Sequence, residues 1–201
     1  MLEFGIEEGY FGRLIEKSHA CAVDKGFWDG GKLSVQQCMM LVLTEVSEAV
    51  ESDRKLRYAD LKSYESCLLD GMDFKVAFET YVKDSVEDEL ADVCIRMFDL
   101  CGGYDLRPLV YCNEETVKQW TDIFGDDSMC ECCWALCRIL CDLDEDSLDD
   151  YLNETSLVMV LGCAISFVYC LCASRDMDIM KHIELKMQYN ALRPMLNGKL
   201  Y

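Results

Sequence analysis

Histidine and proline are scarce in this 201-residue chain, which has two of each. His19 and His182 belong to no nucleophile motif, so Ser/His/Asp and Cys/His nucleophilic catalysis has little support. Basic residues are also few: 19 Lys and Arg stand against 38 Asp and Glu, a net charge of −19. Such a field repels phosphate backbones and anionic bilayers at long range, which sets aside nucleic-acid polymers and membranes as primary partners. An anionic small molecule would need a local positive site or a bridging cation. There is no Gly-rich phosphate loop, because Gly30, Gly31 and Lys32 lack the preceding glycine at P-loop spacing. The first ten residues contain neither a basic n-region nor an apolar h-region. The 14 cysteines therefore read as reduced thiols of a cytoplasmic protein rather than as a secreted disulfide scaffold.

What remains is a chain that is 51% apolar and long enough for one domain, or one domain with an insertion, without a metal or disulfide staple. Apolar/polar alternation is nearly absent, and helix-period segments recur between Gly- and Asp-marked breaks, so the expected fold class is all-α. Helices are expected at about 6–25, 33–57, 73–101, 113–124, 128–141, 148–172 and 177–193. A less distinct break falls near Gly71. The longest uncharged run, residues 157–173, is 17 long, just under the roughly 20 needed to span a bilayer, and reads as a buried core helix.

Two helices carry a shared pattern. Around residues 44–51 an apolar arc contains Cys38, Met39, Val42, Leu43, Val46, Ala49 and Val50, with Glu45 and Glu48 together just beyond one edge and half exposed. Around residues 84–101 the arc contains Leu90, Val93, Cys94, Met97, Phe98, Leu100 and Cys101, with Glu89 and Asp92 beyond the same edge. If the two arcs pack antiparallel, like edges meet and four carboxylates converge on one seam. Their repulsion calls for protons or a hard cation with oxygen ligands, and Mg²⁺ suits a partner that carries phosphates. The plainer reading is two solvated acidic faces, which the presence of Arg96 and Asp99 on the second seam would fit.

The C-terminal segment has the opposite charge. Residues 181–201 hold four Lys and Arg and one acidic residue, +3 against −22 over residues 1–180. Lys186, Tyr189, Asn190 and Arg193 share one helical face, suited either to phosphate and sugar oxygens or to the dipole at a helix C-terminus. Trp28, at a helix exit, could stack on a base or cap a core. His19 lies on the helix before it. Cys130, Cys133, Cys137 and Cys141 form a stripe along one helix that cannot close around a single zinc ion, so they read as small core hydrophobes.

The pairs EVSE at 45–48 and ELAD at 89–92 resemble the E-x-x-E … E-x-x-D signature of the MazG-like, all-α nucleoside triphosphate pyrophosphohydrolases. The segment HACAVDKGFWD at 19–29 is similar to the stretch before that family's first metal helix. HIELKMQYNALRP at 182–194, with GKLY at 198–201, is similar to its closing substrate-binding element. The likeness covers about 16–57, 84–106 and 180–201. Thr44 stands where family members often have an additional glutamate, and 40 residues separate Glu48 from Glu89, so the connection is expected to carry extra helical turns.

The resemblance implies a single helical-bundle domain over 1–201, with extra helices inserted at about 107–175 before the C-terminal helix. It implies hydrolysis of a (d)NTP to (d)NMP and pyrophosphate, with Mg²⁺, or Mn²⁺ in its place, on Glu45, Glu48, Glu89 and Asp92. One of these, Glu45 or Glu48 in the first instance, or a neighbouring carboxylate, would serve as general base. Trp28, Lys186, Tyr189, Asn190, Arg193, Lys199 and His19 would contact the nucleoside triphosphate, and a homodimer or higher homo-oligomer is expected. Two other function classes stay open: a non-catalytic nucleotide-binding or regulatory helical module, and a Cys-based metal or redox module in 107–175.

Overall fold

The computed structural model describes residues 9–142 and 154–198, and among these the chain is all-α with no strand. The helices are α1 (Tyr10–Asp24), α2 (Val35–Arg54), α3 (Leu61–Leu69), α4 (Phe74–Tyr81), α5 (Val86–Gly103), α6 (Glu114–Phe124), α7 (Met129–Leu140), α8 (Glu154–Ser174) and α9 (Ile179–Ala191), followed by a 3₁₀ turn at Met195–Gly198.

Helix α5 is the centre of the fold, and α1, α2, α8 and α9 pack around it. All seven residues of its expected apolar arc are buried, as are Cys38, Met39, Val42, Val46 and Ala49 of the arc on α2. The two helices run antiparallel. At one end Ser52 Oγ donates to the Asp84 carbonyl and the Val86 amide to that of Arg57; at the other Tyr104 Oη donates to the Leu33 carbonyl. The like edges of the two arcs therefore meet.

The expected single helix at 73–101 is two helices. Helix α4 ends at Tyr81, Asp84 adopts a left-handed φ of 57°, and Ser85 caps α5 by accepting from the Asp88 amide at 3.2 Å. A Ser followed three residues later by an acidic residue is a helix-start signal. It overrides the continuous apolar period across the junction. Helix α2 stops at Arg54 rather than near 57, where Leu56 turns left-handed. The extra turns expected between Glu48 and Glu89 are α3 and α4, a hairpin whose Tyr64, Ala77, Phe78 and Val82 form a small core with Leu185 and Tyr189 of α9. The expected start of α8 near 148, and residues 6–8 of the expected first helix, lie outside the described residues.

Helices α6, α7 and α8 occupy the stretch between α5 and α9 that was expected to be an insertion. Helix α7 covers α2, and α8 lies between α6 and α5. Trp120 and Phe124 of α6 meet Phe167 of α8 edge-on, with ring centres 5.2 and 5.1 Å apart. These helices share one continuous core with α1, α2, α5 and α9. Among the described residues, Ser156–Ser174 is the one span long and apolar enough to cross a membrane, and 72% of its most apolar window is buried inside the protein. All 14 cysteines are free thiols; Cys132 and Cys133 are buried, whereas Cys130 and Cys141 are exposed.

Candidate functional site

The N-terminus of α5 concentrates acid. Glu87, Asp88 and Glu89 occupy its first turn, where the exposed amides and the helix dipole favour negative charge. All three are buried. Glu87 accepts from the Ala59 amide at 2.9 Å, and Asp88 accepts from the Asp84 amide at 2.9 Å. One turn further on, Asp92 faces Glu45 of the antiparallel α2. Glu45, Glu89 and Asp92 each bring a carboxylate oxygen to within 4.8 Å of the others. Around a Mg²⁺ ion with metal–oxygen distances near 2.1 Å, adjacent ligands lie about 3.0 Å apart and opposite ones about 4.2 Å, so these three oxygens could hold a hard cation only after drawing closer together. Glu48 opens into the same cavity but lies outside this group of three. The half-exposed pair expected on α2 is in fact split, with Glu45 buried and Glu48 exposed.

The carboxylates are held by two buried or half-buried cations. The Lys186 ammonium from α9 lies 2.7 Å from Asp88 Oδ2 and 2.9 Å from Asp92 Oδ2, and its side chain is 6% exposed. Arg96 Nε donates to Glu45 Oε1. Even so, the site carries excess acid. Burial pushes the Glu89 carboxyl up to about 8, with Asp88, Asp92 and Glu48 adding to the rise and Lys186 opposing it. Burial also raises Glu45, reinforced by Asp92 and opposed by Arg96. For Lys186, burial disfavours the charge, but Asp92, Asp88 and Glu89 outweigh it and hold the ammonium protonated.

Glu45, Glu48, Glu89, Asp92, Arg96 and Lys186 line a cavity of about 410 Å³ between α1, α2, α5 and α9. That volume lies within the usual range for small-molecule sites. Cys21, Phe27, Leu33, Cys38 and Leu41 add apolar surface to its lining. Of the residues expected to contact substrate, Lys186, Tyr189, Asn190 and Arg193 line the cavity from α9 and the turn after it. Tyr189 is braced from behind: its hydroxyl donates to Glu79 at 2.8 Å and its ring stacks on Phe78 at 4.6 Å. Arg193 Nη1 reaches Asn190 Oδ1 at 3.4 Å. Lys199 lies outside the described residues.

Trp28 and His19 sit elsewhere than expected: Phe27 forms the cavity wall in place of Trp28. Trp28 Nε1 donates to Asp99 Oδ1 at 3.1 Å, and His19 Nδ1 is 2.8 Å from the same oxygen, with the two rings edge-to-face at 4.9 Å. Both lie against a glycine pair at the end of α5. A Cβ on Gly103 would come within 2.1 Å of the Trp28 ring, and one on Gly102 within 2.4 Å of His19 Cβ. Both hydrogen-bond Asp99, which itself lines the cavity.

Several participants were not expected from the sequence. Asp88 is one, although its spacing of four from Asp92 puts both on one helical face. The sequence assigns Arg96 only to a solvated face. Lys25 closes α9 by donating to the Ala191 carbonyl at 2.9 Å and to that of Arg193, which fixes the end of the helix that carries Asn190. Among the described residues, the acidic or thiol groups close enough to share an ion are carboxylates: the group above and Asp84, Asp88 and Glu89. The Cys stripe of α7 forms no such group. No protein-family model, curated protein or solved structure matches the chain.

Proposed function

We propose that this chain is a Mg²⁺-dependent nucleoside triphosphate pyrophosphohydrolase, converting a (d)NTP and water to a (d)NMP and pyrophosphate. The observation that carries the reading is one cavity lined both by carboxylates of α2 and α5 and by Lys186, Asn190 and Arg193 of the C-terminal segment. Phosphoryl chemistry needs these two sets together.

Glu45, Glu89 and Asp92 would hold Mg²⁺, with Mn²⁺ as an alternative, and Glu48 opens into the same cavity beside them. The ion would neutralise phosphate charge and help to orient the attacking water. Arg193 and Asn190 would hold phosphate or sugar oxygens through charge-assisted hydrogen bonds. Glu45 is engaged by Arg96. Glu48, exposed one turn along the same helix, is the better placed to accept the water's proton. Apolar lining residues, Phe27 and Leu33 among them, would take the base.

Purified protein with Mg²⁺ is expected to release pyrophosphate from at least one member of a panel of ordinary and modified nucleotides. Glu48→Gln and Asp92→Asn are expected to abolish this while remaining folded by circular dichroism. The same reading expects a homo-oligomer, so light scattering should return at least twice the chain mass of 23.0 kDa.

A second reading, a non-catalytic nucleotide-binding or regulatory module, is favoured by one observation: Lys186 and Arg96 already neutralise part of the acid. Nucleotide binding without pyrophosphate release across the panel would select it.

A further inference from the structure

The Lys186 ammonium occupies the place where the proposed cation chemistry has to happen. It is buried, it bridges Asp88 Oδ2 and Asp92 Oδ2 at 2.7 and 2.9 Å, and it comes from a different helix than either. Asp92 is also one of the three residues whose oxygens could enclose an ion. An ammonium and a divalent cation cannot both sit on Asp92 without strong mutual repulsion in a partly desolvated site.

Asp88 offers a way out. Its side chain is fully buried, and while Oδ2 accepts from Lys186 and from the Asp84 amide, Oδ1 is buried with no hydrogen-bond partner. A buried acceptor left unmade is costly. Lys186 has three N–H donors in a compact, rotatable head and can use that second oxygen.

We propose that Lys186 is a resident counter-cation of the acidic site, surrendering Asp92 to an incoming divalent cation while Asp88, through its unused oxygen, keeps the ammonium inside. The inference rests on the reading that Glu45, Glu89 and Asp92 hold such an ion. It assigns two roles that the sequence did not suggest. Asp88 is a positioning residue that retains Lys186, and Lys186 keeps Asp92 in place when no ion is bound. The fold can then form before the ion arrives, and ion affinity is lower than the carboxylates alone would give.

The test uses the full, nucleotide-free chain labelled with ¹⁵N-lysine. A buried, hydrogen-bonded ammonium exchanges slowly enough to give a ¹H–¹⁵N resonance, assigned by its loss in Lys186→Met, or in Lys186→Arg should the first variant not fold. Mg²⁺ is expected to shift that resonance with the same midpoint as ion binding measured by calorimetry. Lys186→Met is expected to bind Mn²⁺ at least tenfold more tightly than wild type, and Lys186→Arg no more tightly. In Asp88→Asn, Mg²⁺ is expected to abolish the ammonium resonance rather than shift it, because the retaining carboxylate is gone. A resonance unmoved at saturating Mg²⁺, or a Mn²⁺ affinity unchanged in Lys186→Met, overturns the proposal and leaves the ion site standing. Absence of Mn²⁺ binding in wild type and both Lys186 variants overturns the proposal and the ion site together.

Discussion

Glu89 makes the price of the acidic site measurable. Its folded carboxyl is pushed up to about 8, from an ordinary value of 4.5. The folded state therefore binds a proton that the unfolded chain has released at neutral pH. For a carboxyl raised in this way, stability falls as pH climbs from 4.5 and levels off only above 8. At pH 7 the difference amounts to about 3 kcal/mol. Glu89→Gln removes that cost but buries an amide that must find its own partners, so a net gain of about 1–3 kcal/mol is expected in metal-free protein. For a chain of this length that is roughly 3–10 °C in Tm. Urea unfolding in a chelator at pH 5 and pH 8 is the assay. The variant should match wild type at pH 5, exceed it at pH 8, and lose its advantage when Mg²⁺ is added, because the ion replaces the proton on wild-type Glu89 alone. A variant less stable than wild type at pH 8, or a gap independent of pH, would refute the reasoning.

His182 acts with the opposite sign. Burial pushes it down to about 4, so it contributes stability above 6.5 that is lost as pH falls from 6.5 towards 4, about 3 kcal/mol in all; His182→Gln should flatten that acid limb in pH-dependent urea melts. Arg96→Ala leaves the buried Glu45 carboxylate without its guanidinium and should cost roughly 2–4 kcal/mol by the same melts, largely recovered in the Arg96→Ala, Glu45→Gln double variant. Gly103→Ala drives a Cβ into the Trp28 ring and should cost about 1–3 kcal/mol, with a change in tryptophan fluorescence that Gly30→Ala, in open space, does not produce.

The helices were legible because the chain's apolar residues recur at helical spacing and strands would have needed alternation. Two arcs with acid beyond the same edge imply convergence only if α2 and α5 run antiparallel, and the fold meets that condition. The break at residues 82–85 was written in Ser85 and Asp88, a capping signal hidden inside an uninterrupted apolar period. Helical phase predicts that Glu45, Glu48, Glu89 and Asp92 converge, and three of the four come together while Glu48 stays outside the group. The occupation of their seam by Lys186 was not legible, since no periodicity on α5 can say which residue of α9, almost a hundred positions later, comes to rest against Asp88. Trp28 illustrates the same limit. Its neighbour Phe27 took the cavity, and the reason lies in Gly103, whose missing side chain leaves room for the indole.

The central claim is tested most directly by assaying pyrophosphate release from a nucleotide panel, with Mg²⁺ and with a chelator, on wild type and on folded Glu48→Gln. The account predicts pyrophosphate and a nucleoside monophosphate in equal amounts from at least one (d)NTP, dependent on the ion and absent in the variant. Folded wild-type protein that releases none from any nucleotide, or that releases it equally in the chelator or in Glu48→Gln, would contradict it.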